Sequence, residues 1–141
     1  MKKYFFFSVI FLVTSLIFAE EPPMLLTSLV FQHNATIPRD FTCQGQDINP
    51  ALTIANIPVH AKSLALIVDD PDAPMGTWVH WVVFNVPAPS DGKLTIKENS
   101  IPGTQGWNDF GRIHYGGPCP PSGTHRYFFK AYALDTQLNL Q

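Results

Sequence analysis

The residue types that could do chemistry in this sequence are an aspartate, two histidines and a tyrosine. Asp70 follows an apolar run, His80 lies ten positions later beside a second one, and His125 and Tyr127 begin a third. Histidine and tyrosine can donate hydrogen bonds to an anion, and a carboxylate can fix the tautomer of a neighbouring histidine. The backbone amides of segment 115–119 could add further donors. We therefore expect an anion pocket in which Asp70 orients a histidine or meets the cationic part of a zwitterionic ligand.

Two other kinds of site would use some of the same residues. The histidines, the aspartate and Cys119 are acceptable zinc ligands, but their spacing fits neither an H-x-x-x-H nor a C-x-x-C template. Ser122 lies three residues before His125, yet it lacks the G-x-S-x-G motif of a nucleophilic serine. We therefore expect no metal, no cofactor and no catalytic residue, with a weak hydrolase as the remaining alternative.

The stretch 63–86 must position most of these side chains. Its two apolar runs, 64–68 and 81–84, are short and rich in β-branched and aromatic residues, as buried strands are. The loop between them carries three aspartates, and Pro71 and Pro74 restrict its backbone so that the carboxylates are held in fixed directions. The alternative is an ordinary hydrated turn, since aspartate and proline are common in turns.

Side chains alternate between the two faces of a strand, so the sequence also predicts which residues share a face. In the second central strand, one face would consist of Trp78, His80, Val82 and Phe84. The segment 125–134 is a strong strand candidate. One of its faces would consist of His125, Tyr127 and Phe129. A hairpin-like path through the acidic loop would bring Asp70 close to His80.

The composition favours a single, loop-rich β domain. The 141 residues include 13 prolines, 9 glycines and 13% aromatic residues, and no segment shows a sustained helical period. Further strands are expected at 25–31 and 51–54. The net charge of −2 comes without a basic cluster, which argues against nucleic-acid binding. Segment 101–123 holds six glycines and four prolines, and we expect an ordered loop pinned by three aromatic residues: Trp107, Phe110 and Tyr115.

The beginning of the chain has the pattern of a secretory signal peptide. Two lysines are followed by an apolar run over 4–18 and by the small residue Ala19, where cleavage could occur. We therefore divide the chain into a signal peptide, 1–19, and one domain, 20–141, and expect a periplasmic or secreted protein. The alternative is that the apolar run stays attached as a membrane anchor.

Export bears on the oxidation state of the two cysteines, Cys43 and Cys119. An exported protein meets an oxidising compartment, where an even pair of cysteines is more often bridged than free. We expect a Cys43–Cys119 disulfide. In the chain-entropy model, closing a loop of this length stabilises the fold by about 4 kcal/mol.

Three motifs resemble those of the phosphatidylethanolamine-binding protein family, in particular its bacterial, Raf-kinase-inhibitor-like branch. They are DPDAP at 70–74, W-x-H-W at 78–81 and GPCPPSGTHRY at 117–127. The resemblance implies a mostly β fold in which two antiparallel sheets pack as a sandwich with few short helices. It also implies a small anion pocket at one end, which in the family takes phosphate-bearing groups such as phosphoethanolamine.

The resemblance carries a set of ligand-binding residues over to this chain, motif by motif. They are Asp70, Asp72, Trp78, His80, Gly117, Cys119, Pro121, His125 and Tyr127. The function expected is an exported, non-catalytic binding protein for a phosphate-bearing ligand such as a phospholipid head group, touching membranes only through such head groups or an uncleaved signal. Eukaryotic members bind kinases or other signalling partners, so the alternative is a protein-interaction module that inhibits an enzyme through the same pocket.

Two features depart from the family pattern. The export signal would separate the protein from cytosolic kinases. The sequence also stops at Gln141, whereas family members continue through a further helix and a last strand. We therefore expect a domain whose C-terminal helix and last strand are missing: either the chain is a fragment, or one side of the pocket is open and the edge of the core is exposed.

Overall fold

A computed structural model describes residues 21–140. The predicted signal peptide, residues 1–19, and its cleavage site lie outside the described residues. Within 21–140 the strands are β1 (Leu25–Ser28), β2 (Leu52–Ala55), β3 (Ser63–Asp70), β4 (Trp78–Pro87), β5 (Leu94–Ile96), β6 (Thr104–Gln105) and β7 (Phe128–Leu134). A single 3-10 turn, Arg39–Phe41, is the helical structure of this part of the chain. None of its helices is long and apolar enough to cross a membrane.

The strands form two antiparallel sheets that share one core. The smaller sheet has the order β1-β2-β5, and the larger has the order β6-β4-β3-β7. Buried side chains of both sheets belong to one hydrophobic cluster, with Leu52 and Ile54 from the smaller sheet and Leu66 and Val83 from the larger. This confirms the expected mostly β fold of two packed antiparallel sheets.

The central hairpin forms where the sequence predicts it, because both of its apolar runs are buried. Leu66 lies opposite Val83 and Val68 lies opposite Trp81, and each of these four side chains is at most 1% exposed. Burial of large apolar side chains is the main contribution to the stability of such a hairpin. The buried hairpin therefore fixes the position of the acidic loop at its end.

The predicted face of β4 is wrong, because the strand contains one extra residue at His80 and a second between Val83 and Val86. Val68 pairs with Trp81, but the next residue, Asp69, pairs with Val79, so His80 has no residue opposite it. After one inserted residue, each following side chain of the strand points to the opposite face of the sheet. Trp81, instead of Val82, therefore continues into the core beside His80, and both of these side chains are buried.

The other strands differ from expectation mainly in length. β1 ends three residues early and β7 begins at Phe128, so His125 and Tyr127 precede the strand. β5 is short and was not expected, and the segment 101–123 contains β6, which pairs with β4. Strands of two or three residues leave too little pattern to be recognised in a sequence.

The expected disulfide between Cys43 and Cys119 is present. Its two Cα atoms are 5.4 Å apart, and 76 positions separate the cysteines in the sequence. The bridge is supported by a hydrogen bond from the Cys43 amide to the Pro118 carbonyl oxygen, at 3.1 Å. It fastens segment 117–121 to the residues just after the 3-10 turn.

Candidate functional site

A cavity of about 340 Å³ lies at the end of the central hairpin, between the acidic loop and the two loop segments that follow β6 and precede β7. Its polar side chains are those of Asp70, His80 and His125. Its other walls are apolar and consist of Ala73, Pro74, Met75, Trp78, Phe110, Cys119 and Pro121. Six of the nine predicted site residues therefore line one pocket.

Asp70 and His125 form a closely bonded pair on one side of this pocket. The Asp70 Oδ2 atom accepts a hydrogen bond from His125 Nδ1 over 2.7 Å, and the two side chains are 5% and 10% exposed. The other Asp70 oxygen accepts the Asp72 amide at 2.9 Å. Because Asp70 fixes the proton of His125 on Nδ1, the Nε2 atom of the ring is left for a ligand.

His80 is oriented in a similar way by a backbone carbonyl. Its Nδ1 atom lies 2.7 Å from the Gly116 carbonyl oxygen, and the residue is 2% exposed. A carbonyl oxygen only accepts hydrogen bonds, so Nδ1 carries the proton and Nε2 is again the free ring nitrogen. The ring meets those of Phe110 and Tyr127 edge to face, with centroids 5.1 and 5.2 Å apart.

Tyr127 stands behind His80 and carries a polar atom without a partner. Its hydroxyl is buried and has no partner at good hydrogen-bond geometry within the described chain, although Asp70 and the backbone of Cys119 lie near it. Burial, with the negative charge of Asp70, raises the pKa of Tyr127 to about 12. The hydroxyl therefore stays neutral and able to donate at any physiological pH. A buried hydroxyl that lacks a partner costs folding free energy. Tyr127 is not among the residues that line the cavity, and it contacts the pocket through the ring of His80.

Asp72 does not line the pocket, and its carboxylate is already hydrogen-bonded to Arg126. It accepts hydrogen bonds from the Arg126 amide at 2.8 Å, from Nε at 2.8 Å and from Nη2 at 2.6 Å. These bonds with Arg126 hold the pKa of the Asp72 carboxyl far below its usual range. The bonds between Asp72 and Arg126 therefore join the acidic loop to the segment before β7. This connection holds His125 beside Asp70.

Gly117 supports the pocket wall without lining it. Its amide donates to Asp47 Oδ1 at 2.6 Å, and the Gly116 amide donates to the His80 carbonyl oxygen at 3.0 Å. The expectation that the amides of this segment are free for an anion is therefore wrong for these two glycines. A Cβ at Gly117 would lie 2.6 Å from the Phe41 carbonyl oxygen, which explains the glycine by close approach of the backbone.

Asn108 organises the site, and sequence reasoning missed it. The side chain is buried, and its Nδ2 donates to the carbonyl oxygens of His80 at 3.0 Å and His114 at 2.8 Å. Its Oδ1 accepts the amides of Phe110 at 3.1 Å and Arg112 at 3.0 Å. Asparagine is a common turn residue because its side chain bonds to nearby backbone, and this property was the available signal.

The aromatic residues of the long loop have different roles. Tyr115 is buried against Trp81 and donates to the Phe41 carbonyl oxygen at 2.9 Å, so it pins the loop as expected. Trp107 is 72% exposed, so the expectation that it pins the loop is wrong. Phe110 is 36% exposed and packs edge to face on Trp78, with centroids 5.5 Å apart. It is therefore a pocket wall instead of a core residue.

A fold of two β-sheets, with a small pocket lined by side chains at one end of the larger sheet, is typical of a β-sandwich binding protein. A family model described as phosphatidylethanolamine-binding protein matches residues 27–141. This chain belongs to the phosphatidylethanolamine-binding protein family, which confirms the resemblance of its three motifs.

Curated relatives and solved structures agree with this assignment. A UPF0098 protein of Pyrococcus horikoshii is 50% identical over 132 residues, which cover 86% of this chain and 65% of that protein, slightly less than two thirds of its length. One from Methanothermobacter thermautotrophicus is 50% identical over 125 residues, which cover 84% of this chain and 81% of that protein.

Two solved structures are similar over 84% of this chain. A homologue of phosphatidylethanolamine-binding proteins from Chlamydia trachomatis is 44% identical, has a TM-score of 0.76 and is covered over 79% of its own chain. YbcL of Escherichia coli, a member of the same family, is 32% identical, has a TM-score of 0.75 and is covered over 80%.

Proposed function

We propose that this protein is an exported, non-catalytic binding protein whose pocket takes a phosphate-bearing ligand such as a phospholipid head group. The proposal rests on one observation, which is that His80 and His125 line the same cavity. In each ring Nδ1 is hydrogen-bonded to the protein and Nε2 is available to a ligand. Two oriented imidazoles can hold two oxygens of one anion.

The tautomers of His80 and His125 imply that the affinity for the proposed ligand depends on pH. A neutral imidazole whose Nδ1 carries the hydrogen can only accept at Nε2. A phosphate oxygen without a proton therefore requires His80 or His125 to take up a proton, whereas a protonated oxygen can donate to a neutral ring. Asp70, buried beside His125, would stabilise the added positive charge there. Binding is thus expected to strengthen as the pH falls.

Binding without turnover is supported by what surrounds the histidines. Asp70 is already bonded to His125, and the residues that complete the cavity are apolar or belong to the disulfide. Ser122, the candidate nucleophile, is exposed and lies outside the cavity lining. The pocket offers oriented imidazoles and a carboxylate, which suit recognition of an anion, but no serine or cysteine thiol at bonding distance from a ligand there.

Export is supported by two independent features. The disulfide between Cys43 and Cys119 is the kind of bond that persists in oxidising compartments. The apolar, lysine-headed beginning of the sequence has the composition of a signal peptide. Fractionating cells that express the full chain would test this part: the protein should be released with the periplasm or the medium, and retention in the cytoplasm would contradict it.

Titration calorimetry with phosphoethanolamine and with inorganic phosphate tests the binding proposal. The wild-type mature chain should bind both, and His80→Ala and His125→Ala should each weaken binding at least tenfold, equivalent to about 1.4 kcal/mol. His33→Ala is a matched control, because His33 is exposed and outside the pocket. Absence of binding by the wild type, or equal binding by His80→Ala, would refute the proposal.

One observation favours a second function, the inhibition of an enzyme partner that inserts into the pocket. Met75 lines the cavity yet is 93% exposed, so an apolar side chain stands at the pocket mouth where a protein could contact it. A partner captured from periplasmic extract should then remain bound in excess phosphate. Its release by phosphate would contradict this alternative.

A further inference from the structure

The disulfide between Cys43 and Cys119 borders the pocket and is open to solvent. Both cysteines are exposed, and Cys119 belongs to the cavity lining whereas Cys43 does not. Exposed disulfides are reduced more easily than buried structural ones, and they are the ones that act in regulation. We propose that this bridge is a thiol–disulfide exchange site whose reduction by a dithiol releases segment 119–124 from the fold and weakens ligand binding in the pocket.

The disulfide is the main connection between segment 119–124 and the rest of the fold. Within residues 21–140, no hydrogen bond joins residues 120–124 to another part of the chain. The backbone of Cys119 lies near the buried Tyr127 hydroxyl, but without good hydrogen-bond geometry. Residues 121–124 are exposed, so burial adds little. A segment with few buried contacts and few hydrogen bonds opens at low free energy once its cross-link is broken.

Both ends of this segment are held by bonds that do not depend on the disulfide. On the near side, Gly117 and Pro118 are hydrogen-bonded to the loop that carries Cys43, at 2.6 and 3.1 Å. On the far side, His125 is bonded to Asp70 at 2.7 Å. Reduction should therefore loosen only the residues between these two points, and the imidazoles of the pocket should stay in place.

The released segment carries part of the pocket wall. Cys119 and Pro121 both line the cavity, and both lie between the two fixed points. When they move away, water enters the pocket, and an anion at the imidazoles is held less strongly in the higher dielectric. A wall that must be ordered again on binding also costs entropy. This consequence rests on the proposed function, and we expect the affinity for phosphate to fall about tenfold.

The exchange needs only a dithiol as its second reactant. One thiolate of the dithiol attacks Cys43 Sγ, forms a mixed disulfide and releases Cys119 Sγ. The second thiol attacks the mixed disulfide, releases Cys43 and closes the disulfide of the reagent. The dithiol thereby gives two electrons to the bridge, and its two protons end on the two cysteines. Because Cys43 is exposed and outside the cavity lining, this attack does not require an empty pocket.

Reduction and ligand binding are then coupled in both directions. If reduction weakens phosphate binding tenfold, phosphate that saturates both forms must make the bridge tenfold harder to reduce. For a two-electron couple, this factor corresponds to a fall of about 30 mV in the reduction potential. A bound ligand would therefore protect its own pocket against reduction.

Titration calorimetry with inorganic phosphate, before and after treatment with dithiothreitol, tests the effect on binding. The reduced wild-type mature chain should bind about tenfold more weakly than the oxidised one. The double variant Cys43→Ser/Cys119→Ser is the matched control. It should bind as weakly as the reduced wild type, and dithiothreitol should not change its affinity.

Two further measurements test the release of the segment and the coupling. In nitrogen-15 relaxation, the order parameters of the amides at 122–124 should fall on reduction from about 0.85 to below about 0.6, while those of β3 stay unchanged. The reduction potential can be measured in dithiothreitol redox buffers, with the free thiols trapped by iodoacetamide and counted by mass spectrometry. Saturating phosphate should lower it by about 30 mV.

Each outcome has a separate meaning. Equal phosphate affinity of the oxidised and reduced forms would overturn the inference and leave the proposed function standing, whereas no affinity of either form would overturn both. Unchanged order parameters at 122–124 would contradict the release of the segment. Loss of the far-ultraviolet circular dichroism on reduction would show global unfolding, and it would contradict a release that is confined to this segment.

Discussion

Asn108→Ala tests whether one buried amide holds the pocket together. Asn108 makes four side-chain hydrogen bonds, two as a donor and two as an acceptor. After its removal, the His80 carbonyl oxygen keeps the Gly116 amide as a partner, whereas the His114 carbonyl oxygen and the amides of Phe110 and Arg112 lose the Asn108 side chain. These three groups are only partly buried, so water replaces part of what is lost.

The expected cost follows from those three groups. At about 1 kcal/mol for each partly hydrated group, the free energy of unfolding should fall by about 2–3 kcal/mol. For a domain of this size, that is a decrease of about 10 °C in Tm. Urea denaturation followed by tryptophan fluorescence would measure the change. The same variant should weaken phosphate binding, because the His80 carbonyl oxygen would lose the Asn108 side chain as a partner and the amide of Phe110, which lines the pocket, would lose its bond to Asn108.

Asn139→Ala serves as the control, because Asn139 is exposed. It should change the free energy of unfolding by less than about 0.5 kcal/mol, as surface substitutions do. An equally small change for Asn108→Ala, with phosphate affinity retained, would refute the idea that Asn108 organises the loop.

Three further predictions concern the disulfide, the Asp72–Arg126 pair and proton uptake. Cys43→Ser should lower the free energy of unfolding by about 4 kcal/mol, and dithiothreitol should have the same effect on the wild type; an unchanged denaturation midpoint in both experiments would contradict it. The lowered pKa of Asp72 means that its pairing with Arg126 stabilises the fold above the ordinary carboxyl pKa of about 4 and that this contribution is lost as the pH falls below it. Asp72→Asn should therefore be less stable than the wild type at pH 7 by an amount that shrinks toward zero in strong acid, and a difference independent of pH would oppose this assignment. At a pH where the free phosphate is a dianion, its binding should take up protons, so the calorimetric enthalpy should vary with the ionisation enthalpy of the buffer; identical enthalpies in phosphate-free Tris and PIPES at that pH would contradict the tautomers assigned to His80 and His125.

Local pattern is sufficient to predict the two strands of the central hairpin. The runs 64–68 and 81–84 are apolar because they are buried on a central hairpin, and that requirement is visible residue by residue. The pairing of Cys43 with Cys119 was also predictable, because the sequence contains no other cysteine. Asp70, His80 and His125 are recognisable as candidate site residues by their chemical type and by the motifs around them, and all three line one cavity.

What the sequence did not reveal depends on contacts between distant segments. The extra residue at His80 in β4 is a matter of register with β3, and no local pattern marks it. The carbonyl that orients His80 belongs to Gly116, 36 positions away. Asp72 looked like a ligand-binding residue from its motif, but Arg126, 54 positions later, occupies its carboxylate. Such partners become known only when the path of the long loop is known.

The most direct test of the proposed anion pocket is a crystal structure of the mature chain with phosphoethanolamine. We predict that the phosphate lies within about 3 Å of the Nε2 atoms of His80 and His125. We also predict that the hydroxyl of Tyr127 gains a hydrogen bond, directly or through one water molecule. A phosphate group bound away from both histidines, or an empty pocket at saturating ligand, would contradict the account.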